Sequence, residues 1–183
     1  MSSDLTSGVP NAPATTANAD LANASRRLLE DSFNDGNFSV IDEHVAPDAT
    51  SHDPAAPASI RGLRGPDFLK RTVAMYREAF PDVRMTVEDV IAAGETVVLR
   101  WRSEGTHRGG LQGLAPTGAR ASVTGISIDR WKDGKIVESW SQWDNFGLAR
   151  QLGAAPPEGG IAEKVGLGAQ RLMARRMRRR SSP

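Results

Sequence analysis

The spacing of apolar residues divides the chain into a helical part followed by a stranded part. From Asp20 to about Asn34, and again from Pro66 to Phe80, apolar residues recur at three- and four-residue intervals. This spacing is typical of an amphipathic helix that packs one face on a core. Phe38 to His44 is a second, shorter candidate helix, and Pro81 ends the last one.

After Pro81 the period of apolar residues becomes two, which is the period of a half-buried strand. A brief strand is also expected at 49–53, before the loop that runs over 54–65. Helices that come first and hairpin-linked strands that follow predict an α+β fold, with helices on one face of an antiparallel sheet. The long strands are expected at 83–89, 96–107, 121–131 and 136–144.

Composition is that of one ordinary domain with a real core, since 39% of the 183 residues are hydrophobic. The chain has no cysteine, which excludes disulfides, thiolate metal sites and cysteine nucleophiles. No apolar run approaches the length of a membrane span, and the first twenty residues do not resemble a secretory signal. We therefore expect a soluble cytoplasmic protein.

Charge and low-complexity segments suggest three parts. Residues 1–18 are rich in Ser, Thr, Ala, Asn and Pro and are expected to be disordered. Residues 19–153 form the domain, and 154–183 form a linker and a basic tail. The tail could contact an anionic surface or remain solvated. Nothing in the acidic body suggests nucleic-acid binding.

The last strand carries the first candidate for chemistry. Because side chains alternate along a strand, Asp144 is expected on the same side as Ile136, Glu138, Trp140 and Gln142. A carboxylate at a strand end beside indoles is poorly hydrated, and this raises its pKa toward values useful for general acid/base catalysis. The alternative is that Asp144 caps the helical turn that follows it.

Six short motifs occur in a fixed order along residues 20–153. In this order they resemble the SnoaL-like polyketide cyclases, or ester cyclases, of the nuclear-transport-factor-two-like superfamily, and the ordered set is more specific than any single motif. The motifs are Ser51-His52-Asp53-Pro54, Ala79-Phe80-Pro81-Asp82, Gly105-Thr106-His107-Arg108-Gly109, Gly113-Leu114-Ala115-Pro116-Thr117-Gly118, Asp133-Gly134-Lys135-Ile136-Val137-Glu138-Ser139-Trp140, and Asp144 through Gly153.

The resemblance implies a cone-shaped α+β barrel, in which N-terminal helices pack on a strongly curved antiparallel sheet around an apolar pocket. It also implies an intramolecular aldol cyclisation of a hydrophobic, carbonyl-bearing polyketide without metal or other cofactor. By motif, the catalytic aspartate corresponds to Asp144 and an assisting histidine to His107. Residues 110–112 depart from the family's usual acidic-aromatic pattern, so the pocket mouth could differ.

Several functions remain open, because the superfamily has used one pocket for different chemistry. A non-catalytic binding module, an isomerase, a dehydratase and an epoxide hydrolase are alternatives to the cyclase. The histidine spacings match no compact metal motif, and no metal site is predicted. A homodimer is expected, since an open curved sheet leaves a face that needs cover.

Further residues are candidates for contact with the substrate. Trp140 could stack on a flat ligand while desolvating Asp144, whereas His52 could face the cavity or bond to backbone. Glu138 has inward parity and is expected to pair with Arg130 across the hairpin. The predicted substrate-binding residues are His52, Trp101, Ile126, Trp140, Gln142 and Phe80.

Overall fold

The computed structural model describes residues 16–156, 159–160 and 170. Residues 1–15 of the predicted N-terminal segment and, apart from Gln170, the predicted basic tail at 161–183 lie outside the described residues. The helices are α1 (Thr16–Glu30), α2 (Ser39–His44), α3 (Gly65–Ala79) and α4 (Asn145–Gln151), and a π-helical turn (Asp31–Asp35) follows α1. The strands are β1 (Val45–His52), β2 (Arg84–Ala93), β3 (Thr96–Thr106), β4 (Arg120–Lys132) and β5 (Lys135–Trp143).

The helices begin and end where local chemistry requires it. Helix α3 carries Pro66 in its first turn, where the missing N–H costs nothing, and it ends directly before Phe80 and Pro81. Helix α1 begins at Thr16, so residues 16–18 belong to the helix and not to the predicted disordered segment. The buried Ser25 of α1 accepts a hydrogen bond from the Trp131 indole at 3.1 Å, which ties this helix to β4.

The five strands form one curved sheet in the order β1-β5-β4-β3-β2. This confirms the predicted α+β class, with helices packed on a curved sheet. Two details of the prediction are wrong. Strand β1 runs parallel to β5, so the sheet is mixed, and β1 and β2 remain edges, so the sheet is not a closed barrel.

A bulge in β5 decides which side chains face the helices. Arg130 pairs with Glu138, but the next residue, Trp131, pairs with Ile136, so Val137 is an extra residue on β5. One additional residue reverses the alternation of side chains beyond it. Ile136 is buried in the core, and after Val137 the odd-numbered residues of β5 point inward.

The core lies between the helices and the inner face of the sheet. Its members come from every layer, so the helices and the sheet bury their apolar sides against each other. The main cluster includes Leu28, Phe33, Val40, Ile41, Val73, Met85, Val87, Val97, Leu99, Trp101, Trp131 and Ile136.

Candidate active site

A cavity of about 150 Å³ lies between α1, α3 and the inner face of the sheet. Most of its wall is apolar, and a few polar side chains are placed on its sheet side. This is the usual composition of a small-molecule site. The apolar wall includes Leu28, Leu29, Phe33, Phe68, Leu69, Phe80, Met85, Trp101, Ile136 and Trp143.

Asp129 is the buried acid of this cavity. It lies on β4 with 5% of its surface exposed, and its Oδ1 accepts a hydrogen bond from the Ser139 hydroxyl at 2.7 Å. Burial raises the pKa of Asp129 to about 6, against the lowering effect of the Ser139 bond. Among the residues that the structure describes, no cation forms an ion pair with it. A carboxyl of this kind is suited to taking and returning a proton near neutral pH.

Four serines line the floor of the cavity with Asp129. Across the three adjacent strands, Ser51 of β1 pairs with Ser139 of β5, which pairs with Asp129 of β4. In the neighbouring row the Ser127 and Ser141 hydroxyls are 2.9 Å apart, and the Trp101 indole N–H donates to the Ser127 hydroxyl at 3.0 Å. The floor is therefore a polar patch in a cavity whose wall is mostly apolar.

A second acid, Asp53, borders the cavity on the side of β1. The Ala55 backbone N–H donates to its Oδ1 at 2.8 Å. Burial raises the pKa of Asp53, while the Ala55 bond and the Trp143 side chain oppose the rise. The charge of Asp53 in turn acts on Tyr76 of α3, which also lines the cavity.

Three predicted substrate-binding residues do border the cavity. Trp101 and Phe80 are buried in its wall. His52 borders the cavity at the end of β1, but its imidazole lies with the outer-face residues, where it stacks on Trp140 at 5.2 Å and interacts with Glu138 at 3.0 Å. The predicted pair of Glu138 with Arg130 is confirmed at 2.9 Å, but both residues face away from the core.

Three other predicted substrate-binding residues lie on the outer face of the sheet. Ile126 is 48% exposed, Gln142 is exposed, and Trp140 stacks on His52 outside the cavity lining. The expectation that these three side chains face the cavity is wrong. Trp140 and Gln142 point outward because the bulge at Val137 reverses the alternation of side chains from which their inward position was predicted.

Asp144 also lies outside the cavity. Its side chain is exposed, and its Oδ1 accepts a hydrogen bond from the Gly147 N–H at 2.7 Å, so it caps α4. The expectation of a poorly hydrated carboxylate inside the pocket is wrong, and the capping alternative describes its contacts. The catalytic role stays a prediction that this position does not support.

His107 is fully buried but is absent from the cavity lining. Its Nδ1 accepts from the Thr117 N–H at 3.3 Å, and its ring centroid lies 5.3 Å from that of Phe80, which lines the cavity. Its Nε2 has no hydrogen-bond partner among the residues that the structure describes. The predicted catalytic role of His107 stays untested, and its position favours a structural one.

The sequence carries signals for both Asp129 and Asp53, neither of which is among the predicted site residues. Asp129 shares its alternation with Ala121 and Trp131, both buried, whereas the opposite face of β4 carries Ile126. The prediction that Ile126 binds substrate placed this opposite face toward the cavity. Asp53 shares its alternation with the buried Ala49, but the motif drew attention to the neighbouring histidine.

Within residues 16–156, 159–160 and 170, no helix is long and apolar enough to cross a membrane. Within the same residues, no group of three or more His, Asp or Glu side chains is arranged to hold a metal ion.

Comparisons with known proteins give one consistent result. The sequence model of a family described as SnoaL-like polyketide cyclase matches residues 23–152. Aklanonic acid methyl ester cyclase AcmA of Streptomyces galilaeus is 29% identical over 136 residues, which cover 74% of this chain and 92% of that protein. Aklanonic acid methyl ester cyclase DauD of Streptomyces sp. (strain C5) is 31% identical over 139 residues, covering 72% and 81%.

Solved structures show the same fold. The structure of TsrD from Streptomyces laurentii superimposes with a TM-score of 0.66 at 25% sequence identity. The superposition covers 77% of this chain and 98% of that chain. The segment matched by the family thus coincides with the part of the chain that builds the cavity.

Proposed function

The chain belongs to the family of SnoaL-like polyketide cyclases, and we propose that it closes a ring in a hydrophobic polyketide by the acid/base chemistry of Asp129. The similar proteins are named as cyclases of aklanonic acid methyl ester, so a polyketide methyl ester is the substrate class that we infer. The observation that carries the proposal is the uncompensated carboxyl of Asp129 on the floor of an apolar cavity.

Polyketide chemistry suits a single carboxylate base. A carbon between two carbonyl groups holds an acidic proton, because the resulting carbanion is delocalised onto both oxygens. With a pKa of about 6, Asp129 is mostly ionised at pH 7 and yet more basic than an ordinary aspartate. The proposed reaction needs only proton transfers and one new carbon–carbon bond, so it requires no cofactor.

The surroundings of Asp129 support this role. The Ser139 hydroxyl holds Oδ1, which leaves the second carboxyl oxygen without a hydrogen bond among the described residues. The apolar wall excludes water that would hydrate the carboxylate and lower its basicity. We infer that Asp129 removes the proton from the activated carbon and later returns it to solvent.

The first test compares two Asp→Asn variants with aklanonic acid methyl ester as the probe. Asp129→Asn preserves the side-chain volume and an acceptor for Ser139 but cannot take a proton. We expect kcat to fall about 1000-fold, in the range of general acid/base contributions. The matched control, Asp144→Asn, should retain the activity of the original chain.

The pH dependence gives a second readout. Since the base acts when ionised, kcat/KM should rise with pH and level off above about pH 6. Full activity of Asp129→Asn would refute the mechanism. Saturable binding of the ester without conversion would instead support a carrier, and absence of both would refute the proposed substrate class.

A further inference from the structure

A second polar group lies in the cavity apart from Asp129. Asp53 directly follows β1, Tyr76 lies on α3, and Trp143 ends β5, and all three line the cavity. The rings of Tyr76 and Trp143 meet edge to face with centroids 6.0 Å apart. Three separate elements therefore place a carboxyl, a phenol and an indole together.

The Tyr76 hydroxyl is a donor without an acceptor. It makes no hydrogen bond to any residue in the described part of the chain, although α3 packs its ring against the cavity wall. Burial, together with the negative charge of Asp53, raises the pKa of Tyr76 above its ordinary value. The side chain is thus held as a neutral phenol whose proton is available to a ligand.

We propose that Tyr76 is the second catalytic residue of this cavity and donates to the carbonyl oxygen that the substrate carbanion attacks. The inference rests on the proposed function, because it takes Asp129 as the base. It adds a requirement on the substrate, which must present an enolisable carbon to Asp129 and an electrophilic carbonyl to Tyr76 at the same time.

The sheet register places Asp129 and Asp53 at separate positions in the cavity. Ser51, Ser139 and Asp129 form one row across three strands, and Asp53 lies two residues beyond Ser51 on the same face. From the usual strand spacing and rise, two strands across and two residues along, the Cα atoms of the two acids are about 12 Å apart. This distance is too long for them to share a proton, but a polyketide of several carbonyl units spans it.

The proposed step balances in atoms and charge. Asp129 takes the proton from the activated carbon, and this carbon forms a bond to the carbonyl carbon. The π electrons of that carbonyl move to its oxygen, which takes the proton of the Tyr76 hydroxyl. Protonated Asp129 then loses its proton to water and the phenolate regains one, so the product is an isomer of the substrate.

Asp53 acts through Tyr76 and is a positioning residue. The Ala55 N–H fixes its carboxyl at 2.8 Å, and its charge disfavours a neighbouring phenolate before the reaction begins. After proton transfer, the same repulsion drives the phenolate to recover a proton.

The test separates proton removal from ring closure. With the polyketide methyl ester of the activity assay in D₂O, exchange of the activated C–H reports on Asp129, and product formation reports on both residues. In Tyr76→Phe we expect exchange to continue while kcat for closure falls about 100-fold, a typical loss for one oxyanion donor. In Asp129→Asn both should be lost.

A second measurement does not depend on turnover. Tyr76 is the only tyrosine of the chain, so the near-ultraviolet absorbance of the phenolate reports on it alone. Asp53→Asn should lower the pH at which this absorbance appears, whereas the control Asp144→Asn should leave it unchanged.

Three outcomes would overturn the inference while leaving the role of Asp129 intact. One is a Tyr76→Phe variant that closes the ring at the original rate. Another is a Tyr76→Phe variant that keeps the spectrum of the folded chain but loses both C–H exchange and ring closure. Tyr76 would then be needed for proton removal, which is the first step. The third is a phenol titration that Asp53→Asn does not shift.

Discussion

The two faces of the sheet surround their acids with opposite electrostatics. On the outer face, Glu88 forms ion pairs with Arg100 and Arg102, and Glu138 pairs with Arg130. On the inner face, Asp129 has a serine hydroxyl as its hydrogen-bond partner and no cation within the described residues.

Because of this difference, ionising a carboxyl costs little free energy on the outer face and more on the inner face. An outer-face carboxylate in contact with arginine and water stays ionised at low cost, and such a pair contributes roughly 0–1 kcal/mol. The inner carboxylate loses its hydration, and the Ser139 hydrogen bond offsets only part of that loss, so the pKa of Asp129 is raised toward values that suit a base. Substitutions on the inner face should therefore affect stability and, under the proposed function, activity in a different way from substitutions on the outer face.

The largest expected effect is a gain in stability on removing the inner charge. Burial raises the pKa of Asp129 from the ordinary 3.8 to about 6, a shift of about two units at roughly 1.4 kcal/mol each. At pH 8, Asp129→Asn should therefore be more stable than the original chain by on the order of 3 kcal/mol, although we expect it to lose activity. Urea unfolding at several pH values measures this difference.

The sign follows from proton binding. Between about pH 4 and pH 6 the folded state keeps the proton of Asp129 while the unfolded state has lost it, so stability falls as pH rises. Below pH 4 both states are protonated and the advantage of the Asn variant should vanish. The exposed control Asp144→Asn should show no such pH-dependent gain, and equal pH profiles for both variants would contradict the account.

The fold was predictable because it depends on averages over many residues. Period and turn chemistry located all five strands and three of the helices within a few residues, and the ordered motifs identified the family. The site depends on the orientation of single side chains. One extra residue, Val137, reverses these along β5, and no alternation rule shows where such a bulge falls.

The wrong facing of β4 has a different cause. Ile126 and Ile128 are exposed, while Ser127 and Asp129 face the core side, so the more apolar row of this strand points outward. Hydrophobic content normally marks the buried face, and a functional cavity with a polar floor inverts that rule. His107 and Asp144 were assigned by motif and not by the alternation of β4, so this inversion accounts for Ile126 alone.

A smaller change in stability is expected from a substitution at Gly125, where β4 packs against the Trp101 ring in the cavity wall. A Cβ on Gly125 would lie 2.3 Å from the Trp101 ring, and this indole also donates to Ser127. Gly125→Ala should therefore displace the ring and destabilise the chain by about 2 kcal/mol, as overpacking typically does.

The control for this substitution lies one residue away on the outer face. Thr124→Ala should change stability by no more than about 0.5 kcal/mol, since exposed positions tolerate truncation. Unfolding in urea gives both values, and near-ultraviolet circular dichroism should report the displaced indole in the first variant alone. Similar losses in the two variants would mean that the faces do not differ in packing at this point.

The smallest expected effect concerns the outer acid that the motif favoured. Asp144 caps α4 through the Gly147 N–H, so Asp144→Ala should cost about 1 kcal/mol, whereas Asp144→Asn keeps an acceptor and most of that stability. Ring closure by both folded variants should match the original chain, because the carboxyl does not reach the cavity. Loss of activity in Asp144→Asn at unchanged stability would show that an outer-face acid takes part in the chemistry, and the division between the two faces would fail.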